Sequence, residues 1–437
     1  MGLTAGQRTV VCVAAEFPPC NLTAGHRTRL LARHLPEFGY TPVVLTLRPE
    51  CYETRLDPDL LGLLPPDLEV VRSRAVPTRP VRVVGDLGAR SLPFHLAAVG
   101  RLAAHRRADL LFLPVPPNLS ALLGPACRLL FGLPYVIDYI DPIVYAPTDS
   151  DQRSIKAMAG HAVNRLLEPV VMAGAGGLTG VSEGYYADVV RRIRRLDRIP
   201  KAGFPYGGEP LDHDAAAARP GPPRLLDRPD LRGKRVLVYA GALLPRAHDT
   251  LRAVLGAARR WRAASDPRAA DLRLLFVGTG RWAADPASGL VGPIARECGA
   301  ADFVVEVADR QPYLDVLAAL GGCEGVMVLG STDPFYTASK MFQALYSARP
   351  VLAVLHADST AAVVVRGQPG VELVTFTAAN PVATRADVLL AALTATATAP
   401  AGPVARDLAA LEPYTARASA RRLAGVFDAV LARRGRR

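Results

Sequence analysis

Short apolar runs alternate with stretches of helical spacing along almost the whole chain, and these two periods outline its architecture. The first half predicts strands at residues 9–14, 42–47, 110–113, 135–140 and 177–181, with helical patterns between them. Over residues 27–38 the positions Leu31, Leu35 and Phe38 share one helical face and Gly39 supplies a stop, although Pro36 interrupts the last turn. Between residues 206 and 234 the pattern dissolves into Gly, Pro and Ala, which reads as a linker. The alternation then restarts, with strands at 236–240, 272–277, 303–305, 326–329 and 351–355. An Arg- and Ala-rich amphipathic helix closes the chain at 412–437, able to pack across both halves. Strands alternating with helices argue for an α/β fold built on parallel, doubly wound sheets. The expected division is therefore a Rossmann-like domain at 1–205, a linker at 206–234, a second Rossmann-like domain at 235–411 and the closing helix at 412–437.

The unit around residues 326–356 carries the most chemistry. A strand, a polar turn, a helix and a second strand follow one another, and Pro350 ends the helix. Met341, Phe342 and Leu345 fall on a packing face, whereas Lys340, Gln343 and Ser347 share a face for solvent or ligand. Ser331, Thr337, Ser339 and Lys340, with free amides at the helix start, are suited to hold a phosphate or diphosphate. An ordinary capped helix would use the same residue types. The turn from Gly241 to Arg246 follows the first strand of the second half, where an arginine beside free amides can neutralise a phosphate. Gly278 and Gly280 would let backbone approach a ligand at another strand end, though the third glycine of a dinucleotide fingerprint is missing. Asp138 and Asp141 close a strand that looks buried, where open α/β sheets place their ligands. The pairs Asp57/Asp59 and Asp149/Asp151 sit in Pro- and Ser-containing loops and read as turn formers.

Composition narrows the function classes. The net charge is +12, spread over both halves, which suits phosphate-bearing ligands and anionic membrane surfaces. Nucleic-acid binding would need a concentrated basic stripe with interleaved aromatics, so it is not expected. The densest basic cluster is Arg191, Arg192, Arg194 and Arg195, a solvated helix face or a membrane-surface element. The 6 cysteines form no CxxC pair and the 8 histidines no HExxH, so reduced structural thiols and no bound metal are expected. No apolar run reaches the roughly 18 residues needed to span a bilayer. The expected location is cytoplasmic, with a peripheral place on the inner membrane face left open.

Several segments together resemble the family-four glycosyltransferases, whose GT-B fold sets two Rossmann-like domains facing across a cleft. They are FPPCNLTAGHRTRLLARHLPEFGYTPVVLT, VIDYIDP, GVSEGY, GTGRW and FYTASKMFQALYSARPVLAVLH. The resemblance implies a nucleotide-sugar donor, such as a UDP-, GDP- or dTDP-sugar, held mainly by the C-terminal domain. It also implies a hydroxyl-bearing acceptor on the N-terminal domain, retention of anomeric configuration, and no cofactor beyond the nucleotide-sugar co-substrate. In that reading Gly25 lets the first loop approach the donor phosphate, while Arg246 and Lys340 offset the charge on the departing diphosphate. The catalytic candidates are Arg246, Lys340 and Asp141; the donor-binding candidates are Gly25, Gly241, Gly278, Gly280, Ser331, Asp333, Ser339 and Gln343. The family's glutamate pair, eight positions apart, is replaced by Phe335 and Gln343, with Asp333 the nearest acid. No histidine stands near Pro116, Pro117 and Asn118, where the family often has one on the acceptor side. The rival readings are a sugar-nucleotide epimerase on the same architecture and a non-catalytic partner subunit that has lost its acidic residues.

Overall fold

The computed structural model describes residues 7–78, 85–105, 107–145, 155–280, 289–332 and 339–434. The chain divides into two compact units, Met1–Gly207 with Pro413–Arg437, and Gly208–Glu412.

Among its described residues the first unit holds seven parallel strands: β1 (Arg8–Val13), β2 (Tyr40–Leu47), β3 (Glu69–Ser73), β4 (Leu110–Val115), β5 (Tyr135–Tyr139), β6 (Gly177–Gly180) and β7 (Lys201–Gly203). Their order is β3-β2-β1-β4-β5-β6-β7, so the winding reverses between β1 and β4. Strands such as β4 and β5 are buried along their whole length because helices cover both faces of the sheet. The helix expected after β1 is α1 (Thr23–His34), and a 3-10 turn, Leu35–Phe38, takes Pro36 in its first turn, where a missing N–H costs nothing. Gly39 follows at φ 82°, the left-handed stop that the sequence implies. Leu31 and Leu35 are buried and Phe38 packs beside them. The other helices used below are α2 (Leu87–Ala104), α3 (Leu123–Phe131), α4 (Ile155–Ala173) and α5 (Glu183–Arg192).

The second unit repeats the plan with six parallel strands among its described residues: β8 (Arg235–Ala240), β9 (Leu272–Val277), β10 (Val304–Val307), β11 (Gly325–Leu329), β12 (Val351–His356) and β13 (Val371–Phe376). Their order is β10-β9-β8-β11-β12-β13, with the reversal between β8 and β11. Two departures from the sequence reading concern its boundaries. The stretch expected to be a linker contains helix α6 (Pro210–Ala217), with Pro210 at its first position and Glu209 accepting from the Leu211 amide. This helix is built into the second unit against α9 (Tyr313–Gly322), which it joins through Tyr313 Oη donating to Asp212 at 3.0 Å. Between them in the chain come α7 (His248–Ala263) and α8 (Val291–Glu297). After α9 come α10 (Lys340–Tyr346), α11 (Thr360–Val365) and α12 (Ala386–Thr398).

The closing helix, α13 (Ala416–Arg434), belongs to the first unit, where it packs against α1, β6 and β7. Its apolar stripe of Ala420, Leu423, Phe427 and Val430 is buried, and Phe427 meets the rings of Tyr40 and Phe112 edge-on at 5.1 and 5.8 Å. Tyr40 Oη and Arg8 fix its polar edge by donating to Asp428 at 2.8 and 3.1 Å.

Candidate functional site

In an open parallel sheet the two loops at the reversal point run to opposite faces and leave a crevice at the carboxyl ends of the strands. In the second unit that crevice lies between β8 and β11. Gly241 follows β8 at φ 117°, and a β-carbon there would stand 3.3 Å from Lys340 Nζ, so glycine keeps the space that the lysine uses. Lys340 opens α10 and is half-buried. Its ammonium donates to the Tyr239 hydroxyl and, at 3.1 Å, to the Ala242 carbonyl, and lies 4.2 Å from the centre of the Tyr239 ring. Among the described residues no carboxylate pairs with it, and burial without a compensating charge lowers its pKa to about 7.

Other expected residues gather at the same end of the sheet. Arg246 is exposed in the turn before α7, and its carbonyl accepts from the Thr332 amide at 3.2 Å, tying the β8 loop to the β11 loop. Ser331 is buried beside that bond. Ser339 precedes α10 and makes no side-chain cap, while Asp333, Phe335 and Thr337 lie outside the described residues. Gln343, one turn after Lys340, donates through Nε2 to Tyr313 Oη at 3.1 Å, and its Oε1 is buried without a partner among the described residues. Ser347 departs from the expected ligand face: it is buried and donates back to the Ala344 carbonyl at 2.7 Å. Gly278 and Gly280 end β9 next to the Gly241 turn, whose amide donates to the Val277 carbonyl at 2.8 Å. The space beside Gly280 belongs to the Ala308 carbonyl, 2.7 Å from where a β-carbon would stand. Behind this turn Glu306 accepts from the amides of Leu290, Val291 and Gly292 and from Thr279 Oγ1, so a carboxylate already occupies that helix end.

The first unit uses its charges differently. Arg27 and Asp138 are fully buried and paired by two hydrogen bonds of 2.6 and 2.9 Å. Thr179 donates to the same carboxylate at 2.7 Å, and Arg27 Nη1 reaches the Phe204 and Pro205 carbonyls. Asp138 is thus consumed by an internal bond and not offered to a ligand, contrary to its expected place at a binding edge. Asp141, three residues on, is exposed as a residue, and its amide donates to the Val115 carbonyl at 3.3 Å. The protein packed around the carboxyl takes it out of water and raises it to about 6. Gly25 lies in the first turn of α1, where a β-carbon would stand 2.8 Å from the Glu16 carbonyl oxygen. Its glycine therefore serves a close approach of the preceding loop to the helix.

The glycosyl transferase 4-like domain family matches residues 23–200, within the first unit. The whole chain shares the GT-B fold, two Rossmann-like domains, with several solved structures. α,α-Trehalose 6-phosphate synthase from Burkholderia multivorans is 16% identical at a TM-score of 0.59, with 98% of this chain and 99% of that chain covered. Anabaena HepE in complex with UDP and glucose is 13% identical at a TM-score of 0.56, covering 98% and 99%. Sucrose-phosphate synthase from Thermosynechococcus elongatus is 15% identical at 0.55, covering 98% of each. No curated protein matches the sequence. Gly25 and Asp141 lie within the matched residues 23–200, whereas Gly241, Arg246, Gly278, Gly280, Ser331, Lys340 and Gln343 belong to the second unit. Sequence reasoning missed Tyr239 and Tyr313, which hold the lysine and the glutamine. Tyr239 near the end of a buried strand and Tyr313 at the start of α9 are indistinguishable from core until their hydroxyl partners are seen.

Proposed function

We propose that this chain is a glycosyltransferase that moves a sugar from a nucleoside diphosphate to a hydroxyl of a glycan, lipid-linked or small-molecule acceptor. The second unit takes the donor and the first the acceptor. The carrying observation is the Lys340 ammonium, held at the β8–β11 reversal by neutral oxygens. A diphosphate is the counter-charge that such a site lacks. As the bond between the anomeric carbon and the diphosphate breaks, negative charge collects on the departing phosphate, and Lys340 with Arg246 neutralises it. The acceptor oxygen forms the new bond and its proton leaves with the phosphate. Attack from the leaving-group side keeps the anomeric configuration. Gln343 Oε1, which has no partner among the described residues, accepts from a ribose hydroxyl. Asp141, with a carboxyl raised to about 6, accepts from the acceptor hydroxyl when ionised. The two cations take the charge-neutralising role in this scheme, and no metal is assigned to it.

HepE, described in complex with UDP-glucose, makes UDP-sugars the first donors to try. A thermal-shift panel of UDP-, GDP-, ADP- and dTDP-sugars tests the reading, because ligand at a hundredfold its Kd stabilises by about 2.7 kcal/mol. One nucleotide series should raise the melting temperature, and Lys340→Ala should abolish the rise. A panel without any response favours the non-catalytic subunit. Conversion of the nucleotide sugar to its epimer without acceptor favours the epimerase.

A further inference from the structure

Helix α4 is apolar on both sides. Leu167, Val171 and Met172 pack into the core of the first unit, as a covering helix requires. The opposite side would ordinarily be polar. Instead it exposes Ile155, Met158, Val163, Leu166 and Val170, with Ile155 at 90% and Leu166 at 75% of full exposure. Among its described exposed side chains Arg165 is the one charge. Helix α7 of the second unit shows the ordinary arrangement, exposing Asp249, Arg252, Arg259 and Arg260. The apolar surface continues onto the end of α3, where Leu129 is 85% exposed and Leu130 stands beside it. Apolar side chains exposed on two helices that pack side by side mark a surface that something covers.

Charge identifies what covers it. Arg128, adjoining Leu129 in sequence, lines a cavity of about 330 Å³ together with Arg195, Arg433 and Arg434, and no Asp or Glu lies among its described lining residues. Arg128 donates to the Gly174 carbonyl at 2.7 Å, at the end of α4, so the arginine cavity and the apolar strip share one rim. Arg433 likewise donates to a backbone carbonyl, that of Arg198. Neutral oxygens orient these two guanidinium groups without cancelling their charge. Exposed Arg194, just beyond the end of α5, adds to the same basic character, whereas Arg191 is paired with Asp188.

We propose that the α3–α4 face docks the protein on an anionic phospholipid bilayer. Leu129, Leu130, Leu166 and Val170 enter the acyl boundary while the arginines of the rim bind lipid phosphates. Apolar insertion and headgroup attraction act together, the two-signal arrangement that holds a peripheral protein on a membrane. A symmetric dimer through the same face would bring the arginine rims of both copies together, which like charge opposes. No helix among the described residues is long and apolar enough to cross a membrane, so the contact is one of surface docking. The inference concerns a face of the first unit and does not depend on the proposed reaction.

Co-sedimentation of the full chain with phosphatidylglycerol-containing and with pure phosphatidylcholine vesicles tests it. The protein should pellet with the anionic vesicles, release in high salt, and stay in solution with phosphatidylcholine alone. The double variant Leu130→Glu/Leu166→Glu changes two exposed side chains, so its circular dichroism and melting temperature should match the parent, while its partition onto anionic vesicles falls by about tenfold or more. Equal pelleting of parent and variant would overturn the proposal, as would no pelleting with either vesicle. A dimer in analytical ultracentrifugation that the double variant abolishes, without vesicle binding, would assign the face to a second copy instead.

Discussion

Arg27 in the first unit and Lys340 in the second both stand on helices beside the reversal of a parallel sheet, yet their charges are used in opposite ways. Arg27 has its carboxylate, two carbonyls and two aromatic rings around it, and no water reaches it. Lys340 has a hydroxyl, a carbonyl and a ring, and its pKa falls to about 7 because nothing negative compensates its burial. A charge that the fold has already neutralised is architecture. A charge that the fold positions and leaves uncompensated is available to an anion. The contrast separates residues of the same formal charge into those that hold the protein together and those that act on a ligand.

The largest effect should come from breaking the internal pair. Arg27→Ala or Asp138→Ala strands one fully buried charge, and denaturant unfolding should record a loss of about 3–5 kcal/mol. A loss below 1 kcal/mol would show that water enters and that the pair is not closed. Lys340→Met should do the reverse, leaving the melting temperature of the free protein unchanged or higher while turnover falls about a hundredfold or more. If both substitutions merely unfold the protein, the contrast fails.

The pH dependence sharpens it further. Lys340 is depressed to about 7, so the unfolded chain binds a proton that the folded chain gives up between that value and the ordinary lysine range. The free protein should therefore gain stability as pH rises through this interval, and Lys340→Met should remove the gain. A bound diphosphate favours the ammonium and raises its pKa. Nucleotide binding above pH 7 should accordingly take up a proton and weaken as pH rises, which calorimetry in buffers of different ionisation enthalpy reads directly. On the acid side, a requirement for ionised Asp141 makes kcat/KM fall below about pH 6, a limb that Asp141→Asn should erase.

A smaller gain is expected from Gln343→Glu, since a charged acceptor makes a hydrogen bond about twice as strong as a neutral one. UDP should bind up to about tenfold tighter, whereas a nucleotide lacking ribose hydroxyls should show no gain. The smallest effect is that of a chelator, because Lys340 and Arg246 take the neutralising role: turnover should be the same with and without it.

The strands buried on both faces were legible as apolar runs, and the restart of the pattern marked a second domain. The edges were not. β3 is half-exposed, β7 has three residues, and β13 alternates with Glu372 and Thr375, so none of them presents the continuous run that betrays a central strand. Helix α6 was hidden because Gly and Pro surround it, although Glu209 and Pro210 carry a helix-start signature. Lys340, Gly241 and Arg246 could be singled out from their places after strands, and the structure sets Lys340 against the Gly241 turn. The fate of Asp138 was not legible, because VIDYIDP offers two acids at one strand end and only the distant Arg27 decides which is consumed. Ser347 was misplaced for a similar reason: helical spacing gives a face, but the packing partner decides whether that face meets solvent.

The most direct test of the account is a calorimetric titration of the protein and of Lys340→Met with UDP at pH 6.5, where the ammonium is largely protonated on the pKa of about 7. The account predicts saturable binding by the parent and an affinity weaker by about tenfold or more in the variant, the loss of one charge-assisted contact. Equal affinity in the two proteins would contradict it.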